Sequence, residues 1–383
     1  MSKLSLRPCR QEQPSFLPVH LIFDFQRLDF HNKLFMEGLV CWVRQKVEKL
    51  RQSSCFQSKS DPYEKERKKL LLERGSLLLK EMITSCKDKC RCNPIRSISA
   101  REVLEATNNF DSHFHDSFYY KWYKCTLDDR PVLLKKYELD FENIAYRDIV
   151  ISSQMSSNKN VLRLLGCCLE FSGPILVYEY APYGALDSVV PSLSWKMRLK
   201  AAKDIANVIT YLHVAFPRPI IYRDMDPSNI FLDKDFAPKL CNFGFSISIP
   251  EGESHVEDIV IGRLGFAEPD YVRTGFITEH IDVYSFGVFL LALLTGQKAI
   301  DESRPEGNEI IGKYVSYLLK DEQFSEIVDP KISEEDGGIY EEKQLQLAAF
   351  LKLALRCIED RREDRPHMID VAKELVKIER FTS

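Results

Sequence analysis

The residues that could do chemistry cluster in one stretch. Ile220 to Phe245 reads IIYRDMDPSNIFLDKDFAPKLCNFGF and sets the carboxylates Asp224 and Asp226 close to the amide Asn229, with a second amide, Asn242, further on. A carboxylate can take up a proton or hold a hard cation, whereas an amide oxygen is a neutral and poorer ligand for one. Upstream, Lys135 ends the apolar run Val132-Leu133-Leu134-Lys135, which has the pattern of a strand. A lysine so placed offers a point charge to an anion. A cation, a proton acceptor and ligands for a metal are the parts that move a phosphoryl group, a reaction made mostly of positioning and charge neutralisation.

The order of these residues resembles the centre of a protein kinase. Tyr222, Arg223, Asp224 and Asn229 stand where the H-R-D-x-x-x-x-N loop has its His, Arg, Asp and Asn. Asn242-Phe243-Gly244 takes the D-F-G place, and Val132 to Lys135 that of V-A-I-K. The resemblance implies an α+β, bilobal protein-kinase-like fold, with a small β-rich N-lobe, a helical C-lobe and an N-terminal helical extension. It implies that Asp224 and Asn229 are vestigial catalytic equivalents. It also implies a vestigial nucleotide pocket of Lys135, its helix partner Asp148, the gatekeeper Tyr178, the hinge from Glu179 to Ala181, and Asn242. Asp148 is one methylene shorter than the usual Glu, so its ion pair with Lys135 is expected to be strained or open. Asp282 is expected to hold the catalytic loop, and Asp270 to pair with Arg365.

Four departures weaken the chemistry. Asn242 supplies no anionic oxygen for magnesium, and Asp226 replaces the lysine that meets the transferred phosphate. The glycine-rich loop is missing: no glycine occurs between Gly75 and Gly166, and His115 to Tyr123 is crowded with aromatic residues instead. Arg263, after Gly262, stands where kinases brace the loop with threonine. Each lost electrostatic contact typically costs about 10²–10³ in rate. ATP and magnesium binding is therefore expected to be weak or absent, and the chain reads as a pseudokinase. A weakly active Ser/Thr kinase and a nucleotide-gated allosteric module are the alternatives.

Around this centre the sequence predicts strands near Tyr119–Leu127, Arg130–Tyr137, Leu162–Glu170 and Ile175–Tyr180, and helices over Trp195–Leu212, Glu342–Ile358 and His367–Ile378. The kinase-like domain is placed at 106–379, behind a helical leader at 61–105 with a bend at Gly75 between two leucine triplets. Residues 1–60 form a basic, partly disordered extension. Within it, Phe35 to Leu50 has the spacing of an amphipathic helix with a basic face, fit to pack on the body, bind a partner or lie on a membrane. The first hundred residues carry 20 Lys and Arg against 11 Asp and Glu, and the rest 33 against 46. A basic extension on an acidic body points to an acidic partner or an anionic membrane surface, and nothing points to nucleic acid.

Eleven scattered cysteines favour a reducing compartment. Cys86, Cys90 and Cys92 have an unusual spacing with no second pair, so no metal site is assigned. No stretch reaches the ~18 apolar residues of a membrane span, which leaves a cytoplasmic protein with at most peripheral contact at the plasma membrane. Met1 and Met36 both stand as starts.

The leader KKLLLERGSLLLKEMI, the entry NPIRSIS, RLLGCCLE, YRDMDPSN and NFGF together resemble plant receptor-like cytoplasmic pseudokinases with a wall-associated-kinase-like domain, which serve as adaptors for a coiled-coil NLR immune receptor. The resemblance implies binding to the receptor's leucine-rich repeats and recruitment of a receptor-like cytoplasmic kinase or bacterial effector. Ser246 to Ile261, acidic and poor in anchors, is expected to be mobile. Glu251, Glu253, Glu257, Asp258 and Arg263 are its candidate recruitment residues.

Overall fold

The structure, a computed structural model, describes residues 62–85, 95–320, 324–334 and 341–382. The helix expected at Phe35–Leu50, the cysteines 86, 90 and 92, and the alternative starts lie outside the described residues. Among the described residues no helix is long and apolar enough to cross a membrane.

Helix α1 runs unbroken over Pro62–Ser85, so the bend expected at Gly75 is absent. A lone glycine costs a helix about 1 kcal/mol, and burial of Leu78 and Met82 against the body offsets it. The sheet of the first lobe follows, with strands β1 (Arg96–Ser97), β2 (His115–Asp116), β3 (Tyr120–Leu127), β4 (Arg130–Tyr137), β5 (Leu164–Cys168) and β6 (Ile175–Glu179) in the order β1-β5-β6-β4-β3-β2. β1 comes from the segment read as leader and pairs parallel with β5, Arg96 opposite Gly166. A Cβ at Gly166 would come within 2.7 Å of the Arg96 carbonyl oxygen, so only glycine permits this strand. Ser99, in a capping box with Glu102, then starts helix α2 (Ala100–Ala106).

β3 and β4 form a hairpin turning on Asp128 and Asp129, both at positive φ, a turn that matches the twist of the strands. On its other edge β4 pairs antiparallel with β6, which sets Lys135 opposite Leu176, deep in the sheet. Helix α3 (Glu142–Met155) packs against this lobe and carries Asp148.

The second lobe is helical: α4 (Trp195–Val214), α5 (Pro269–Thr274), α6 (Glu279–Thr295), α7 (Ile311–Lys320), α8 (Glu341–Cys357) and α9 (Met368–Glu379). α6 is apolar nearly all round and buried from Ile281 to Thr295 save for the partly buried Tyr284, the pattern of a helix at the centre of a core. At its start Asp282 accepts hydrogen bonds from the backbone N–H groups of Tyr222 (2.7 Å) and Arg223 (2.8 Å), as the sequence led one to expect, and also pairs with His213 (2.8 Å). Between the lobes lie β7 (Ile220–Ile221), the hairpin β8 (Ile230–Leu232) and β9 (Pro238–Leu240), and then β10 (Ile247–Ser248) paired with β7. Further on, β11 (Val256–Glu257) pairs with β12 (Phe276–Ile277).

Candidate functional site

Lys135 enters the interlobe cleft from β4 with its side chain fully buried. Its ammonium donates to Asp148 Oδ2 (2.8 Å), to the Tyr137 hydroxyl (2.7 Å) and to Asn242 Oδ1. An ammonium has three donors, and all three are used inside the protein. The expected gap between Lys135 and Asp148 does not occur. Tyr137 also donates to Asp148 Oδ2 (2.8 Å), and the other oxygen, Oδ1, accepts from Ser152 Oγ (3.1 Å) and from the backbone N–H of Phe243 (2.9 Å). These partners draw the helix in far enough for the shorter acid.

Asn242 adopts the left-handed conformation (φ 65°, ψ 58°), which asparagine tolerates better than most residues. Its Nδ2 donates to Asp224 Oδ2 (2.5 Å) and to the Tyr120 hydroxyl (3.1 Å). Asp224 Oδ2 also accepts from Asn229 Nδ2 (2.8 Å). Two facing carboxylates would need a cation between them; an amide and a carboxylate simply hydrogen-bond. Burial, and then the nearby Asp226, push the Asp224 carboxyl up to about 7, against the lowering effect of Asn229, Lys135 and Asn242.

The sequence counted Asp226 and Arg263 as two separate losses. The structure joins them, with Arg263 Nε 2.8 Å from Asp226 Oδ2, while Asp226 Oδ1 accepts from the N–H of Ser228. Gly262, at φ 140°, turns the chain so that Arg263 reaches back to the loop.

Aromatic side chains occupy the space above. The Lys135 ammonium lies 4.0 Å from the centroid of the Tyr120 ring and 4.6 Å from that of Tyr137. Tyr119 packs edge-on against Phe141 and Phe245, both at 4.9 Å, and Phe118 against Phe141 at 5.3 Å. Burial raises the Tyr120 and Tyr137 phenols well above their usual range and keeps them neutral. What remains open is a cleft of about 150 Å³ bounded by His115, Tyr120, Asp224, Asp226 and Arg263. Ligand pockets usually start near ~300 Å³.

Lys135, Asp148, Asn242, Asp224 and Asn229 are thus brought together as the sequence proposed. Tyr178 is buried behind them against Trp122 (5.5 Å). Ala181 is buried at the hinge, and Glu179 faces outward to Lys239 (3.6 Å) and Arg163 (3.6 Å). Tyr120 and Tyr137 were not singled out by sequence; the crowding of aromatics between His115 and Tyr123 was the only signal for Tyr120, and Tyr137 carried none beyond its place at the end of a strand. With its lysine spent, no carboxylate at 242 and little free volume, this donor set does not fit a magnesium–nucleotide complex.

Two expectations about the activation segment need correction. Glu268, not Asp270, is the buried partner of Arg365, and Arg362 joins it at 2.9 Å, while Asp270 sits on the surface beside Arg273. Glu268 immediately precedes α5, so it is the residue turned inward toward α9's approach, and Asp270 is carried round to solvent by the first turn of α5. Nor does the segment lack anchors. Asp258 pairs with Arg223 (2.9 Å) and Arg263 with Asp226, while Glu251, Glu253 and Glu257 face solvent.

Residues 123–377 match the family model of the protein kinase domain. The chain is similar to the serine/threonine-protein kinase ZRK1 of Arabidopsis thaliana, 43% identical over 330 residues that cover 82% of this chain and 93% of that protein. It is 44% identical over 331 residues to the non-functional pseudokinase ZED1 of the same plant, covering 83% and 98%. With the non-functional pseudokinase ZRK2, also of Arabidopsis, it shares 41% identity over 360 residues, covering 88% and 98%.

Proposed function

This chain belongs to the protein kinase domain family, among plant relatives that include kinases and pseudokinases, and from that premise we propose that it is a catalytically impaired kinase serving as an adaptor in plant innate immunity. It links an NLR receptor, through that receptor's leucine-rich repeats, to a recruited receptor-like cytoplasmic kinase or bacterial effector, and works in the cytoplasm, with peripheral membrane contact through its basic extension.

The observation that supports the impaired site best is Asn242. Its amide accepts from Lys135 and donates to Asp224, so the groups at the places of the phosphate-pairing lysine and of the catalytic aspartate are both satisfied by the residue at 242. The protein accordingly binds Mg·ATP weakly or not at all. Isothermal titration with Mg·ATP tests this, and a dissociation constant in the micromolar range would overturn it.

A weakly active kinase is the second reading. It is favoured by the closed Lys135–Asp148 pair and the survival of Asp224 and Asn229. Radiolabelled phosphate transfer that disappears in Asp224→Ala would establish it.

For the adaptor role, the outward carboxylates Glu251, Glu253 and Glu257 form the recruiting surface. Their joint reversal to lysine abolishes association with the second kinase and leaves receptor binding intact. Co-purification from plant tissue followed by mass spectrometry reads both interactions. Loss of neither sinks the proposal.

A further inference from the structure

Away from the interlobe cleft, the second lobe holds a cavity of about 420 Å³, within the size range of ligand pockets. One wall is the stretch 249–254, and that stretch is tied down at both ends. At one end β10 pairs with β7 and the Ile249 N–H donates to the Pro219 carbonyl (3.0 Å); at the other β11 pairs with β12. Between them the Glu253 N–H donates to the Pro250 carbonyl (3.2 Å), closing a turn whose third residue, Gly252, takes the positive φ (82°) that suits glycine there. Pro217, Pro219 and Pro250 stiffen the rim, so the cavity is formed before anything enters it.

Its lining is charged and largely unpaired. Glu251 and Glu253 make no ion pair among the described residues, nor does Arg218, and Glu279 meets only a histidine, His367, at 3.7 Å. His280 adds no cation at neutral pH, because burial, and then His367 and Arg365, lower its pKa. Three carboxylates against one guanidinium leave the cavity negative, and a cleft concentrates such a field. Just before Pro217 in the chain, Tyr211 and Val214 on the last turn of α4 are 44% and 60% exposed. An occupant that fits brings several cations, one anion for Arg218 and an apolar side.

The chain carries such a segment outside the described residues. Residues 42–49 set the cations Arg44, Lys46 and Lys49 and the single acid Glu48 among Trp42, Val43 and Val47. From Leu50 to Pro62, where α1 begins, the twelve links reach about 40 Å when extended, against a radius of gyration of roughly 19 Å for a body of this size. That tether is long enough to carry the segment from one lobe to the other.

We propose that residues 42–49 dock in this cavity of their own chain, with their cations at Glu251 and Glu253, Glu48 at Arg218, and the lysine stems along the prolines. On the reading of Glu251 and Glu253 as recruiting residues, the docked segment competes with the recruited partner; the docking itself is measured without one.

Zero-length carbodiimide coupling on the full-length protein, at micromolar concentration and read by peptide mass spectrometry, tests it. Lys46 or Lys49 is expected to link to Glu251 or Glu253, and a mixture of ¹⁴N- and ¹⁵N-labelled protein shows the links to lie within one chain. Ser254→Trp fills the cavity but keeps every amine and carboxylate, and the yield of these links falls severalfold. As a second readout, the triple variant Arg44→Gln, Lys46→Gln, Lys49→Gln raises amide exchange in peptides spanning 249–255 about tenfold and leaves peptides from α6 unchanged. The proposal is overturned if the two lysines couple only to other carboxylates or to none, or if Ser254→Trp leaves the yield as it was. Links found solely between differently labelled chains overturn it as well, by assigning the seat to a second copy, and so does unchanged exchange in the triple variant.

Discussion

At position 242 one amide serves two neighbours of unlike charge: its oxygen takes a hydrogen bond from the Lys135 ammonium and its nitrogen gives one to the Asp224 carboxylate. A carboxylate could do only the first. Asn242→Asp therefore sets two acids 2.5 Å apart in a buried site, and the expected result is destabilisation of roughly 1–3 kcal/mol with no phosphoryl transfer. Urea denaturation and a radiolabelled transfer assay check both parts; steady turnover from this single change would mean the defects are wrongly ranked. The raised Asp224 carboxyl has its own consequence. Its folded pKa, about 7, lies above the unfolded 3.8, so its stabilising contribution is complete below about pH 4 and is lost as pH rises through 7. Asp224→Asn keeps an oxygen to accept from Asn229 and Asn242 but cannot ionise. The variant should match wild type in melting temperature near pH 4 and exceed it at pH 8, and thermal melts across that range decide the matter.

At the scale of elements, the turn between β2 and β3, which stands where a kinase has its glycine-rich loop, closes the cleft by packing side chains across it. Phe118 and Tyr119 reach across to Phe141 at the start of α3 and to Phe245 beyond the Asn-Phe-Gly motif. The rings join the N-lobe turn, the helix that carries Asp148 and the root of the activation segment. Edge-to-face pairs are worth about 0.5–1.5 kcal/mol each beyond the area they bury. Tyr119→Ala loses three of them, counting its pair with Phe118 (5.3 Å), and the expected cost is about 2–4 kcal/mol once the vacated space is included. The measurement is the denaturation midpoint, accompanied by faster exchange in peptides from both sides of the cleft. A variant as stable as wild type would show that the rings touch without holding the lobes.

For the whole molecule, α1 acts as a strap across the N-lobe. Arg74 is nearly buried and donates to Glu142 Oε1 (2.5 Å), in the first turn of α3, and to the Ser172 carbonyl in the β5–β6 turn. Leu78 and Met82 bury beside it. Arg74→Met keeps the stem and removes the charge that complements Glu142, and should lower stability by about 2–3 kcal/mol. Chemical denaturation of the full chain measures it, and no change would reduce α1 to a bystander. The ion pairs Arg223–Asp258 and Asp226–Arg263 belong to this scale too, because they tie the activation segment to the same cleft the aromatic turn closes from above.

The sequence by itself determined the four long strands of the sheet and the principal helices, because period-two and period-3.6 burial is written in the order of apolar residues, while the two lobes followed from the resemblance of its motifs to those of protein kinases. It also placed Lys135, Asp148, Asp224, Asn229 and Asn242 in one site, since these lie at motif positions with fixed spacing along the chain. It could not show that Asp226 and Arg263 are partners, that Glu268 rather than Asp270 meets Arg365, or that Asp258 is spent on Arg223. Nor could it show that helix α1 passes straight through Gly75. In each of these cases the outcome depends on which side chains are brought within 3–4 Å by elements distant in the chain, and Coulomb and hydrogen-bond energies are decided over that last distance.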